Sequence, residues 1–95
     1  MPSKLEDDWR RFVKLCSQVK SPDELSEFYE LFLTIEERDA LAKRFLIIEA
    51  LLKGEQNQRD MAQSIGVSIS KITRGSNSLK IVSNKLKKFC QVAMH

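Results

Sequence analysis

The sequence predicts an all-α fold: six short helices in one domain spanning residues 1–95, with a helix-turn-helix over about residues 58–81. Three observations carry that expectation. First, a capping residue followed three positions later by an acid recurs at Ser3 with Glu6, Ser21 with Glu24 and Thr34 with Glu37. Each such pair satisfies two orphan N–H groups reciprocally at a helix start. Second, apolar residues recur at three- and four-residue steps, and no stretch alternates as a strand would. Third, 95 residues fit one small domain, which buries only roughly two thirds of its unfolded surface.

The first helix sets Leu5, Trp9, Phe12, Cys16 and Val19 on one stripe that Val13 and Leu15 widen, so it is expected to bury more than one side. Pro22 follows Ser21 at a first helical position, where its missing N–H costs nothing, and starts a second helix running to about Phe32. A third helix, from about Ile35 to Lys53, contains FLIIEALL (Phe45 to Leu52), apolar almost all round with only Glu49 interrupting. A small monomer offers few neighbours to cover it, so a homodimer is expected, the alternative being a core helix with one oily exposed edge. Gly54 suits a left-handed cap and Asn57 the next N-cap, followed by a short helix from Gln58 to about Ile65. Gly66 stops it, Val67 and Ser68 turn the chain, and two helices follow, about Ile69 to Lys80 and Asn84 to Ala93.

Charge divides the chain. Residues 1–52 carry 8 Lys/Arg against 11 Asp/Glu, whereas residues 53–95 carry 8 against 2, within a total of +3. A basic half suggests a polyanion partner, a solvated basic face being the plainer reading. No run approaches the roughly 18 apolar residues of a membrane span, and acids stand near the start where a signal peptide would be apolar. A cytoplasmic protein without a membrane partner is expected. Cys16 and Cys90 are expected as buried free thiols, and the only histidine is His95. With no paired carboxylates, no nucleophile beside a base and no metal-ligand cluster, neither an enzyme nor a metal or other cofactor is expected.

The stretch QRDMAQSIGVSISKI (Gln58 to Ile72) carries the corner pattern. Small Ala62 lets two helices cross closely, Gly66 permits the turn, and Ile65, Val67 and Ile72 fill the inside. An ordinary two-helix corner could use the same devices, but Arg59, Lys71, Arg74 and Lys80, with Thr73, Ser76 and Asn77, add groups suited to phosphates and base edges. Gly75 falls three residues after Ile72, where a bulky apolar residue is usual. The expectation there is a gap: the third helix approaches across a space holding Arg44, and a flat ligand fills the opening beside the reading helix. A large side chain at 75 would then block the ligand and leave the fold intact; helix fraying is the alternative account of this glycine.

Four blocks closely resemble the bacterial tryptophan repressor family: WRRFVKLC (Trp9 to Cys16), LFLTIEERDALAKR (Leu31 to Arg44), IIEALLKGEQNQRD (Ile47 to Asp60) and ITRGSNSLK (Ile72 to Lys80). The resemblance implies an interlocked homodimer that binds palindromic double-stranded operator DNA of tryptophan biosynthesis or transport genes when L-tryptophan is bound as corepressor. It implies that the indole lies at Gly75 between Arg44 and Arg74, whose guanidinium planes would contribute roughly 0.5 to 2 kcal/mol each. Arg74 and Thr34 would meet the ligand carboxylate, and the Leu31 and Leu33 carbonyls with the Ser78 hydroxyl its ammonium. Arg59, Ile69, Ser70, Lys71, Thr73, Arg74, Asn77 and Lys80 match the DNA-facing positions. The ligand would act as a spacer, favouring reading helices about 34 Å apart.

Three departures bear on operator preference: a short arm before Trp9, Ala62 in place of a basic residue, and Ser70 and Lys71 in place of smaller or neutral groups. Other readings are a relative of this superfamily that ignores tryptophan, and a structural helical dimerisation module. Arg44, Arg74, Gly75 and Ser78 together speak against the first, and salt-dependent operator binding separates the repressor from the second.

Overall fold

The computed structural model describes residues 4–94, so the expected cap at Ser3 and the single histidine lie outside the described residues. Among the described residues there are six helices and no strand: α1 Lys4–Cys16, α2 Pro22–Phe32, α3 Ile35–Lys53, α4 Gln58–Ile65, α5 Ile69–Ile81 and α6 Asn84–Ala93. Expected and observed boundaries agree closely, α5 running one residue past Lys80. Among the described residues no helix is long and apolar enough to cross a membrane. The chain divides into two compact units, Met1–Ile35 and Glu36–His95.

The first unit holds α1 and α2. Ser21 Oγ accepts from the Glu24 N–H at 3.1 Å, and Pro22 occupies the first turn. Ser21→Ala should therefore lower stability by about 1 kcal/mol, read as an earlier midpoint in chemical denaturation. Aromatic rings join the two helices: Phe12 meets Phe32 edge-on at 5.1 Å and stacks on Phe28 at 6.0 Å, while Trp9 lies 5.8 Å from Phe12. These are tilted and offset geometries that aromatic quadrupoles favour. Tyr29 Oη donates to Cys16 Sγ at 3.9 Å, and that bond pushes the Tyr29 phenol above its ordinary pKa. Both cysteines are free, but half-buried rather than buried.

The expected burial of the α1 stripe is not met within one chain. Trp9 is 63% exposed and Leu5 78%, and neither α1 nor α2 contains a buried residue. Two antiparallel faces of a two-helix unit cannot cover a stripe as wide as this one.

The second unit is built around Ile47 of α3, Met61 and Ala62 of α4 and Ile72 of α5, with Ala50, Leu51, Ile65 and Val67 packed against them. Helices α4 and α5 pack directly on each other. Ala62 is buried, so the close crossing expected of a small residue is in place. Gly66 caps α4 with φ +80°, a left-handed conformation available to glycine without a Cβ penalty. Its N–H and that of Val67 both donate to the Ala62 carbonyl, at 2.9 and 3.0 Å. Asn57 Oδ1 caps α4 through the Asp60 N–H at 2.8 Å, and Ser68 Oγ caps α5 through Lys71. The turn thus fixes α5 on both sides. Outside this core α3 leaves Leu41, Phe45 and Leu46 exposed, and α6 leaves Leu86, Phe89 and Val92 exposed.

Candidate functional site

Gly75 lies buried in the middle of α5. A Cβ added there would stand 2.7 Å from Ile47 Cγ2 and 3.3 Å from Leu51 Cδ1. The expected gap is therefore corrected: on the side where a Cβ would point, α3 fills it with Ile47. A γ-methyl set by the stiff χ1 of a β-branched residue has little freedom to yield. Gly75 is present for close approach of α3 to α5, and a large residue there meets the core before it meets any ligand. Fraying is equally set aside, since α5 continues to Ile81.

Beside this contact three candidate ligand residues come together. Arg44 Nη2 on α3 donates to Ser78 Oγ on α5 at 2.9 Å, and Ser78 Oγ donates to the Arg74 carbonyl at 2.9 Å. One turn of α5 separates Arg74 from Ser78, so they share a face. With its proton committed to Arg74, the Ser78 hydroxyl keeps a second lone pair for a further donor such as an ammonium. Arg44 and Arg74 are exposed, Ser78 half-buried. The Arg44 guanidinium lies against this hydroxyl and Arg74 stands one turn away; such side chains can hold a carboxylate by charge-assisted hydrogen bonds and can stack on an aromatic plane.

The remaining ligand candidates belong to the first unit. Leu31 lies in the last turn of α2, 80% exposed; Leu33 is its C-cap, with its N–H donating to the Tyr29 carbonyl; and Thr34 follows, exposed. Carbonyls at a helix C-terminus carry the negative end of the dipole and suit an ammonium.

The outer side of α5 is polar and cationic. Ile69, Ser70, Lys71, Thr73, Arg74, Asn77 and Lys80 are all exposed, as is Arg59 on α4, while Ile72 and Gly75 face inward. Thr73 Oγ1 donates to the Ile69 carbonyl at 3.1 Å, and Ser70 Oγ pairs with Ser68 Oγ at 3.0 Å. From Met61 to His95 the sequence has six Lys/Arg and no Asp or Glu. Two features escaped the pattern reading: the Ile47–Gly75 contact and the Arg44–Ser78 bond. Both are contacts 28 and 34 residues apart, and only the coincidence of an Ile and a Gly on facing stripes could have suggested the first.

Helices α4 and α5 thus form a turn-linked corner of the helix-turn-helix type whose outer helix carries no acid. Comparison gives the family: residues 7–93 match the Trp repressor protein profile, and the chain belongs to that family. A Trp operon repressor homolog of Chlamydia caviae is 50% identical over 84 residues, covering 88% of this chain and 83% of the relative. One from Chlamydia trachomatis serovar D is 44% identical over 91 residues, 96% and 97% of the two chains. One from Vibrio vulnificus is 40% identical over 78 residues, 82% and 76% of the two.

Proposed function

We propose that this protein is an L-tryptophan-dependent repressor that binds palindromic operator DNA of tryptophan biosynthesis or transport genes as an interlocked homodimer in the cytoplasm. The observation that carries the reading is the chain from Arg44 through Ser78 to the Arg74 carbonyl. It joins the Arg44 guanidinium to the Ser78 hydroxyl, an ammonium acceptor, one turn from Arg74 on the helix whose outer edge would read DNA. A ligand held there acts on the reading helix directly. The family resemblance adds the Leu31 and Leu33 carbonyls and the Thr34 hydroxyl as ligand groups of this proposal, with no metal or other cofactor.

The second copy is supported by exposed apolar side chains on α1, α3 and α6, an extent unusual for a soluble monomer. Sedimentation should give a dimer at micromolar concentration. Arg59, Ile69, Ser70, Lys71, Thr73, Asn77 and Lys80 form the DNA face, which Arg74 shares with the ligand. Lys71→Ala should weaken operator binding about threefold to tenfold and flatten the salt slope. Tryptophan affinity should stay as it was; a fall would contradict the division between the two edges of α5.

The test of the proposal is selection of genomic duplex fragments with and without L-tryptophan, followed by mobility shift of the enriched sequence. Enrichment of a palindrome only with tryptophan is the expected outcome. Equal binding in both arms would favour the relative that ignores tryptophan, and no binding in either would favour a structural dimer.

A further inference from the structure

The helix-turn-helix accounts for the cations of α4 and α5 but leaves three lysines of α6 unused. Lys85, Lys87 and Lys88 fall within its first five residues, NKLKK. Lys85 and Lys88 are exposed and one turn apart on a shared face, while Lys87 is half-buried. The apolar Leu86, Phe89 and Ala93 recur on a different face. None of the three lysines has a carboxylate partner among the described residues; the ion pairs Arg11–Asp8 and Lys43–Asp39 lie elsewhere.

The sign of this charge works against the helix that carries it. Helices α1 to α4 each place acids in the first turn: Glu6 and Asp7, Asp23 and Glu24, Glu36 and Glu37, and Asp60. Acids there complement the positive end of the helix dipole. Only α5 and α6 have none, and α5 is the helix assigned to DNA. Lysines early in α6 repel that same dipole, so their placement is explained by an external anion better than by helix stability.

Chain continuity with α5 favours the DNA backbone as that anion. Val82 closes α5 and the adjacent Ser83 opens α6, with its Oγ accepting from Leu86 at 3.1 Å. Lys85 lies five positions after Lys80, a reach of at most about 17 Å, or half a turn of duplex. Lys85 therefore stands no farther from Lys80 than the half-turn spacing over which successive phosphates of one duplex are presented.

We propose that Lys85 and Lys88 form a second contact surface for the DNA backbone, continuous with the outer face of α5 and outside the helix-turn-helix. It rests on the DNA-binding reading above. Contacts of this kind add affinity without reading sequence, because phosphates carry no base identity.

The experiment is a salt titration of binding to the selected operator duplex by fluorescence anisotropy, with wild type, Lys85→Ala/Lys88→Ala and Lys85→Arg/Lys88→Arg. Four lysines per dimer, each releasing about 0.9 counterion, should flatten the slope of log K against log salt by about 3 to 4 in the alanine variant. A fourfold rise in salt would then cost that variant roughly 100-fold less than wild type. The arginine variant should keep the wild-type slope, and preference for operator over scrambled duplex should be unchanged in both. Sedimentation and the thermal midpoint of the alanine variant should match or exceed wild type. An alanine variant with the wild-type slope, or one that loses the dimer, overturns the proposal. Should the wild type itself show no salt-dependent binding, the DNA reading fails first, and the two failures are told apart.

Discussion

Gly75→Leu is expected to destabilise the second unit by about 3 kcal/mol or more, a large part of the roughly 5 to 15 kcal/mol that holds a small domain. The cause is local. A Cβ at this position already comes within 2.7 Å of Ile47 Cγ2 and 3.3 Å of Leu51 Cδ1, and leucine adds three more carbons in a buried place. Ile47 is itself 2% exposed and packs into the same core as Ile72. Moving α3 away would open that core, and holding it would force strained rotamers. Gly75→Ala separates this account from simple helix propensity. Alanine gains up to about 1 kcal/mol in a helix interior, yet the contact with Ile47 should make the variant less stable by about 1 kcal/mol net. Guanidinium denaturation followed by circular dichroism reads both, and an alanine variant more stable than wild type would refute the close approach.

Arg74→Ala carries the second large effect, since Arg74 is assigned to both sides of α5. Losing one stacking cation and one charge-assisted bond to a carboxylate should cost about 2 kcal/mol of tryptophan affinity, roughly 30-fold. Operator binding should fall further than in Lys71→Ala, because ligand and phosphate contacts are lost together. Fold stability should change little: Arg74 is exposed, and it is its backbone carbonyl, not its guanidinium, that accepts from Ser78. Calorimetry with tryptophan and a melting curve on the same sample separate these effects. Arg74→Ala with unchanged tryptophan affinity would remove Arg74 from the ligand set.

Local signals made the helices legible. Ser21, Asn57 and Gly66 each state a boundary through a cap or a left-handed residue, and the structure places all three in those roles. The corner was legible for the same reason: Ala62, Ile65, Val67 and Ile72 lie within eleven residues, a span over which helical spacing dictates facing. Long-range contacts were not legible. Nothing in the spacing of α3 says that Ile47 rather than a ligand would meet Gly75, because the depth of one helix in another depends on packing across both. The same limit hid the Arg44–Ser78 bond, although each residue was singled out. The α1 stripe shows a third case: its apolar period gave the helix correctly, while the single chain leaves Trp9 and Leu5 largely exposed.

The central claim is that tryptophan is the ligand of Arg44, Arg74 and Ser78, and calorimetric titration of the folded protein with L-tryptophan, against L-phenylalanine as control, tests it most directly. Saturable heat near one ligand per chain, absent or far weaker with phenylalanine and reduced in Arg74→Ala, is the expected result. No heat with either amino acid, or equal heat with both, while the protein remains helical, would contradict it.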